Sequence, residues 1–136
     1  MSNSQSRKTV GEMMVKDVVT IPPFAKLREA IEVMRARKVK SLVVEKQSPS
    51  DAFGMLTYTM LLRTIVHEDG DVDLVNVYDV AAKPALIIPP QLEVRHAVTM
   101  MLNIGVKRLV VTNNNELEGI LTMNDIVGAI IEKIDA

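Results

Sequence analysis

The chain has 136 residues, nearly half of them hydrophobic, enough for one ordinary domain or two small subdomains sharing a core. Its 16 basic and 17 acidic residues leave a net charge of −1, which gives no electrostatic reason to expect DNA, RNA or anionic lipid as a partner. The absence of cysteine excludes disulfides, Cys-ligated zinc and thiol catalysis, and nine methionines with few aromatics predict an aliphatic, adaptable core.

Residues 1–9 are polar, so the start is expected to be disordered and to carry no signal peptide; no apolar run reaches membrane-spanning length. These features predict a cytoplasmic protein with no membrane partner. From Val10 a pattern begins that recurs. Val10-Gly11-Glu12-Met13 aligns with Val77-Tyr78-Asp79-Val80, and Val19-Thr20-Ile21-Pro22-Pro23 with Leu86-Ile87-Ile88-Pro89-Pro90. Val39-Lys40-Ser41-Leu42-Val43-Val44 aligns with Val106-Lys107-Arg108-Leu109-Val110-Val111, all at a spacing of 67 residues. Beyond that the spacing falls to 65, because the first copy carries two extra residues in its Gln47–Ala52 loop. One register held over so many positions establishes an internal repeat. It divides the chain into a first unit over 10–69, a linker over 70–76 and a second unit over 77–136.

Each copy reads as strand, helix, strand, strand, helix. The first helix is apolar at Leu27, Ala30, Ile31 and Met34 in one copy, and at Val94, Ala97, Val98 and Met101 in the other, a one-sided helical spacing. Proline pairs end the strand ahead of each helix. Gly105 suits the left-handed position after a helix; its counterpart Lys38 would hold that geometry at a cost of about 1 kcal/mol. Ser41–Glu45 and Arg108–Thr112 are strands rich in β-branched residues, and Ser48-Pro49-Ser50-Asp51 and Asn113-Asn114-Asn115 are turns into the third strands.

The stretch Glu118-Gly119-Ile120-Leu121-Thr122-Met123-Asn124-Asp125-Ile126 reads as a buried strand turning at Thr122 into a helix that runs to about Ile134. Its counterpart, Phe53-Gly54-Met55-Leu56-Thr57-Tyr58-Thr59-Met60-Leu61, keeps the glycine and the threonine but has Met60 in place of Asp125. The closing helices are too apolar for a single buried face: Met60, Leu61, Leu62, Ile65 and Val66 form one wide stripe, and Ile126, Val127, Ala129, Ile130, Ile131 and Ile134 another. That excess predicts self-association, a homodimer through the helical faces; a helix buried between the two repeats is the alternative.

With this repeat, strand order and turn chemistry, the chain resembles a tandem pair of CBS domains, the cystathionine β-synthase type regulatory module. The resemblance rests on Asp17-Val18-Val19-Thr20-Ile21-Pro22-Pro23, on Glu29-Ala30-Ile31-Glu32-Val33-Met34, on Leu42-Val43-Val44 and on Gly119-Ile120-Leu121-Thr122-Met123-Asn124-Asp125, and it spans about residues 10–133. It implies an α/β (α+β) fold of two β-α-β-β-α units related by a pseudo-twofold and packed sheet to sheet, with two clefts between them. It also implies an adenosine-containing ligand, AMP, ADP, ATP or S-adenosylmethionine, held as a regulatory ligand and not as a catalytic cofactor. The family's ribose-binding acid falls on Asp125, its phosphate-side hydroxyl on Thr122 with Leu121 beside it, and its basic residue on Arg108; backbone around Ile87, Ile88 and Pro89 would frame the adenine. In the first copy Thr20, Ile21, Ser41, Thr57 and Tyr58 are the corresponding weaker candidates, without the acid or the arginine. Lys40 and Lys107 are weaker phosphate candidates.

The residue types suit the chemistry. One carboxylate accepts hydrogen bonds from both hydroxyls of a ribose, and a phosphate is met by free N–H groups at a helix start, a hydroxyl and a guanidinium. Thr122-x-x-Asp125 ahead of an apolar run is equally a helix-capping pattern, and both roles are compatible at Thr122. The acidic turn Glu68–Asp73 has its glycine misplaced for a calcium-binding EF-hand loop and reads as a solvated linker. No nucleophile–base constellation, metal-ligand spacing or glycine-rich phosphate loop stands out, so a non-catalytic module acting on an unknown effector protein is expected. A ligand-free interaction module with degenerate clefts is the alternative, favoured by Met60.

Overall fold

The computed structural model describes residues 7–135, the last three by their backbone alone. The expected disordered stretch Ser2–Ser6 and the side chain of Ile134 lie outside the described residues. Among the described residues, six α-helices and two three-stranded sheets make up a mixed α and β fold. In chain order these are α1 (Val10–Met13), β1 (Thr20–Ile21), α2 (Leu27–Arg37), β2 (Ser41–Val44), β3 (Gly54–Thr57) and α3 (Tyr58–Leu62). Then follow α4 (Val77–Val80), β4 (Ile87–Ile88), α5 (Val94–Ile104), β5 (Arg108–Asn113), β6 (Glu116–Thr122) and α6 (Met123–Asp135).

The chain forms two compact units, one over 19–85 and the other built from residues up to 18 together with 86 onward. In the first, β1 pairs parallel with β2, and β2 antiparallel with β3. Ile21, Leu42, Val44 and Leu56 point from one face of this sheet into a core shared with Leu27, Ala30 and Met34 of α2, Leu61 of α3 and Val77 of α4. In the second unit β4, β5 and β6 repeat the arrangement, and Ile88, Leu109, Val111 and Leu121 meet Val94, Ala97 and Met101 of α5, Ile126 of α6 and Val10 of α1. The helix spacing i, i+3, i+7 thus selects the buried face in both copies.

The compact units are not the sequence repeats, because the opening turn of each repeat packs in the unit that holds the rest of the other. Val94 N–H, at the uncapped start of α5, donates to Lys8 O (2.8 Å), and Val10 N–H to Leu92 O (2.7 Å). The same bonds recur as Leu27 N–H to Val75 O (3.1 Å) and Val77 N–H to Ala25 O (2.8 Å). Main-chain carbonyls from the lead-in therefore satisfy helix-start donors that neither Lys26 nor Glu93 caps by side chain. Lys8 and Thr9 fall within the start expected to be disordered over 1–9; here they are paired, Thr9 bridging Glu93 and capping α1.

Local geometry follows the expected chemistry at the turns. Gly105 (φ 82°) and Lys38 (φ 56°) both end their helices in the left-handed region, and Asn114 and Asn115, both at positive φ, form the tight β5–β6 hairpin turn. The first closing helix differs from expectation. The α geometry stops at Leu62 and widens over Arg63–His67 into a π-helical turn, with Glu68 N–H donating to Arg63 O (3.0 Å).

Candidate functional site

Thr122 closes β6 and opens α6, so one residue serves strand and helix. Its hydroxyl accepts the N–H of Asp125 (3.1 Å), capping the helix, and donates to the Asp125 carboxylate (2.7 Å). The acid is therefore steered by the cap, with one carboxylate oxygen occupied, while the side chain remains exposed. In the first repeat Thr57 makes the same cap to Met60 N–H, longer at 3.4 Å, and the partly buried Met60 packs against the apolar core.

Register sorts the remaining candidates. Arg108 lies directly opposite Thr122, and Ile87 directly opposite Val110. Directly opposed residues share a sheet face, and residues two apart on a strand do so as well, so Ile87, Arg108 and Thr122 line one face. Ile88 and Leu121 occupy the other face, and their side chains belong to the helix-side core. The same alternation puts Ile21 in the core of the other unit. Ile88 can thus offer only its main chain; Pro89 is exposed and its carbonyl accepts Leu92 N–H (3.3 Å). β4 lies at a sheet edge, paired on one side only, with β5. Lys107 is exposed, and its carbonyl accepts Met123 N–H (3.0 Å).

In the first repeat Ser41 opposes Thr57 and Thr20 opposes Val43, placing Thr20, Ser41 and Thr57 on one face. The Thr20 hydroxyl donates to Glu45 (2.8 Å), a carboxylate on that face that the sequence reading passed over. Its signal was position alone: Glu45 continues the alternation of Ser41 and Val43. Lys40 Nζ stands 6.0 Å from the Tyr58 ring, and its carbonyl accepts Tyr58 N–H (3.0 Å).

Asp125 also borders an open concavity of about 650 Å³ formed with Lys8 and Glu12 of the lead-in and with Asn124, Gly128 and Glu132 of α6. Glu12 accepts from both the N–H and the hydroxyl of Thr9, which holds its carboxyl below the usual carboxylate range and keeps it charged. Lys8 and Glu12 were not foreseen because more than a hundred residues separate them from Asp125. The acidic linker is engaged locally: Asp73 pairs with Arg28 through both carboxylate oxygens, and Asp71 accepts Asp73 N–H (2.8 Å). Among the described residues no group of three or more His, Cys, Asp or Glu is placed to hold a metal ion. No helix among them is long and apolar enough to cross a membrane.

The CBS-domain sequence profile matches residues 10–67 and 77–132, both repeats and most of the chain. This chain belongs to the CBS-domain family. An uncharacterized protein of Methanopyrus kandleri is 33% identical over 122 residues, covering 88% of this chain and 61% of the relative. The inosine-5′-monophosphate dehydrogenase of Methanocaldococcus jannaschii is 29% identical over 127 residues, 90% of this chain but 24% of the enzyme. The chain thus spans less than two thirds of these relatives. A hexameric CBS-CP12 protein from bloom-forming cyanobacteria superposes with a TM-score of 0.84 at 28% identity, covering 88% of this chain and 70% of that one. A CBS pair is generally a regulatory or ligand-binding unit, and stand-alone CBS-domain proteins are generally non-catalytic.

Proposed function

We propose that this CBS pair is a non-catalytic regulatory module of the cytoplasm that binds an adenosine-containing ligand, AMP, ADP, ATP or S-adenosylmethionine, through its second repeat. The observation that carries this reading is the exposed Asp125 carboxylate, oriented by the Thr122 cap, with Arg108 directly opposite Thr122. Asp125 would accept the ribose hydroxyls, Arg108 and the start of α6 would meet phosphate or carboxylate, and Ile87 with the β4 edge would receive the adenine. Ligand binding would favour one arrangement of the chain over another, which an effector protein reads; the size of the shift is set by the difference in affinity between the two. The excess apolar surface of the closing helices supports a homodimer as the form in which this occurs.

Thermal unfolding in the presence of each of the four ligands tests the reading. A ligand at about 100 times its dissociation constant should stabilise the folded chain by roughly 2.7 kcal/mol. Asp125→Ala should remove most of that gain while leaving the unliganded melting temperature nearly unchanged, because Thr122 still caps the helix. An equal response in wild type and variant would take Asp125 out of the site. A ligand-free interaction module is the second reading, favoured by the mutual satisfaction of Thr122 and Asp125; it predicts no response to any of the four.

A further inference from the structure

The face of the β1–β3 sheet that does not carry its core residues holds Thr20, Ser41, Val43, Glu45, Met55 and Thr57. Val43 and Met55 at its centre are buried, and the four polar residues around them are half-buried. The corresponding face of the β4–β6 sheet keeps the centre, as Val110 and Ile120, and the threonine, as Thr122. It has Ile87 for Thr20, Arg108 for Ser41 and Thr112 for Glu45. One face is thus basic and the other acidic. The Thr20 hydroxyl donates to Oε2 of Glu45 (2.8 Å), which leaves the second carboxylate oxygen open to accept. Among the described residues no ion pair is made by Glu45. The lysines nearest in sequence are held against rings, Lys40 at 6.0 Å from Tyr58 and Lys46 at 4.9 Å from Phe53.

We propose that this face of the first repeat binds a positively charged, phosphate-free adenosine derivative, with Glu45 as its counter-ion. The inference rests on the reading above that the chain takes an adenosine-containing ligand, and goes beyond it by giving the first repeat a ligand of opposite charge. A half-buried carboxylate without a cation favours a ligand that brings positive charge and N–H donors. A phosphate placed on the same face would meet Glu45 and find Ser41 where Arg108 stands in the second repeat, so like charge excludes it. Of the four ligands considered, only S-adenosylmethionine lacks phosphate, and its sulfonium and ammonium groups are both cationic. The first repeat has therefore exchanged the acid at the helix start, where Met60 stands, for one at the far end of β2.

Equilibrium dialysis of the full chain provides the test, in the wild type and in Asp125→Ala, where the second repeat is disabled. The probes are S-adenosylmethionine, S-adenosylhomocysteine, which lacks the methyl that makes the sulfur cationic, and AMP. Asp125→Ala is expected to keep S-adenosylmethionine, to bind it about tenfold tighter than S-adenosylhomocysteine, and to hold AMP more weakly than either. Adding Glu45→Gln, or separately Ser41→Arg, which puts the cation of the second repeat on this face, should abolish the preference for the sulfonium. Circular dichroism checks that each variant is folded. A preference that survives both substitutions, or is missing from Asp125→Ala, would overturn the inference. Binding that appears in the wild type and vanishes entirely in Asp125→Ala would do the same while upholding the second-repeat site. Glu45-dependent binding of S-adenosylmethionine with no AMP bound by the wild type would uphold the inference and argue against a phosphate site at Arg108.

Discussion

Lys38 and Gly105 hold the same place in the two repeats and the same left-handed backbone, yet only one of them is glycine. A side chain at positive φ crowds its own carbonyl, whereas glycine has nothing to crowd. Lys38→Gly is expected to raise stability by about 0.5–1 kcal/mol, read as a higher urea midpoint at unchanged slope. Asp51, in the loop that carries the two extra residues, has its carboxyl held at about 2, below the ordinary 3.8, by the Lys83 ammonium (2.7 Å) and the N–H groups of Gln47 and Ala52. A carboxyl whose pKa falls on folding stabilises the fold above its unfolded value and loses that contribution as the pH drops through the folded one. Asp51→Asn should therefore melt below wild type at neutral pH, and the gap should close between pH 3.8 and about 2. Thermal melts across that window would show it; a gap that persists at pH 2 would assign the effect to packing.

At the scale of elements, the equivalent glycines of the two third strands, Gly54 at the start of β3 and Gly119 within β6, differ in how closely they are approached. A Cβ at Gly119 would stand 2.6 Å from Met14 Sδ and 2.8 Å from Val15 O, where the lead-in bridges β6 at Ile120. The equivalent Gly54 would place its Cβ 3.2 Å from Val44 Cβ and 3.3 Å from Ala82 O, tight but less severe. Gly119→Ala is expected to cost about 1–3 kcal/mol, and Gly54→Ala less, in chemical denaturation of the two variants. Equal costs would mean that the lead-in yields freely at both places. The same lead-ins complete the helix starts: carbonyls of Lys8 and Val75 take donors that short side chains usually take, which explains why Lys26 and Glu93 are tolerated there.

At the scale of the whole chain, the two repeats have kept one scaffold and diverged at its surfaces. Asp125 against Met60 separates the repeats as candidate ligand sites. Divergence of this kind lets a duplicated fold present two unlike faces.

The repeat, its register, the strand, helix, strand, strand, helix order of each copy and the left-handed helix ends were legible in the sequence, because each is fixed by interactions between residues close in the chain; the short opening helices α1 and α4 were not. The capping role of Thr122 was legible for the same reason, since its partner lies three residues away. Which lead-in joins which unit could not be read, because a carbonyl satisfies a distant N–H whatever its side chain, and Lys8, Val75, Leu92 and Ala25 share no side-chain pattern. The sorting of Ile87 and Arg108 from Ile88 and Leu121 also waited for the fold: alternation gives two faces, and only packing against α5 and α6 decides which of them is core.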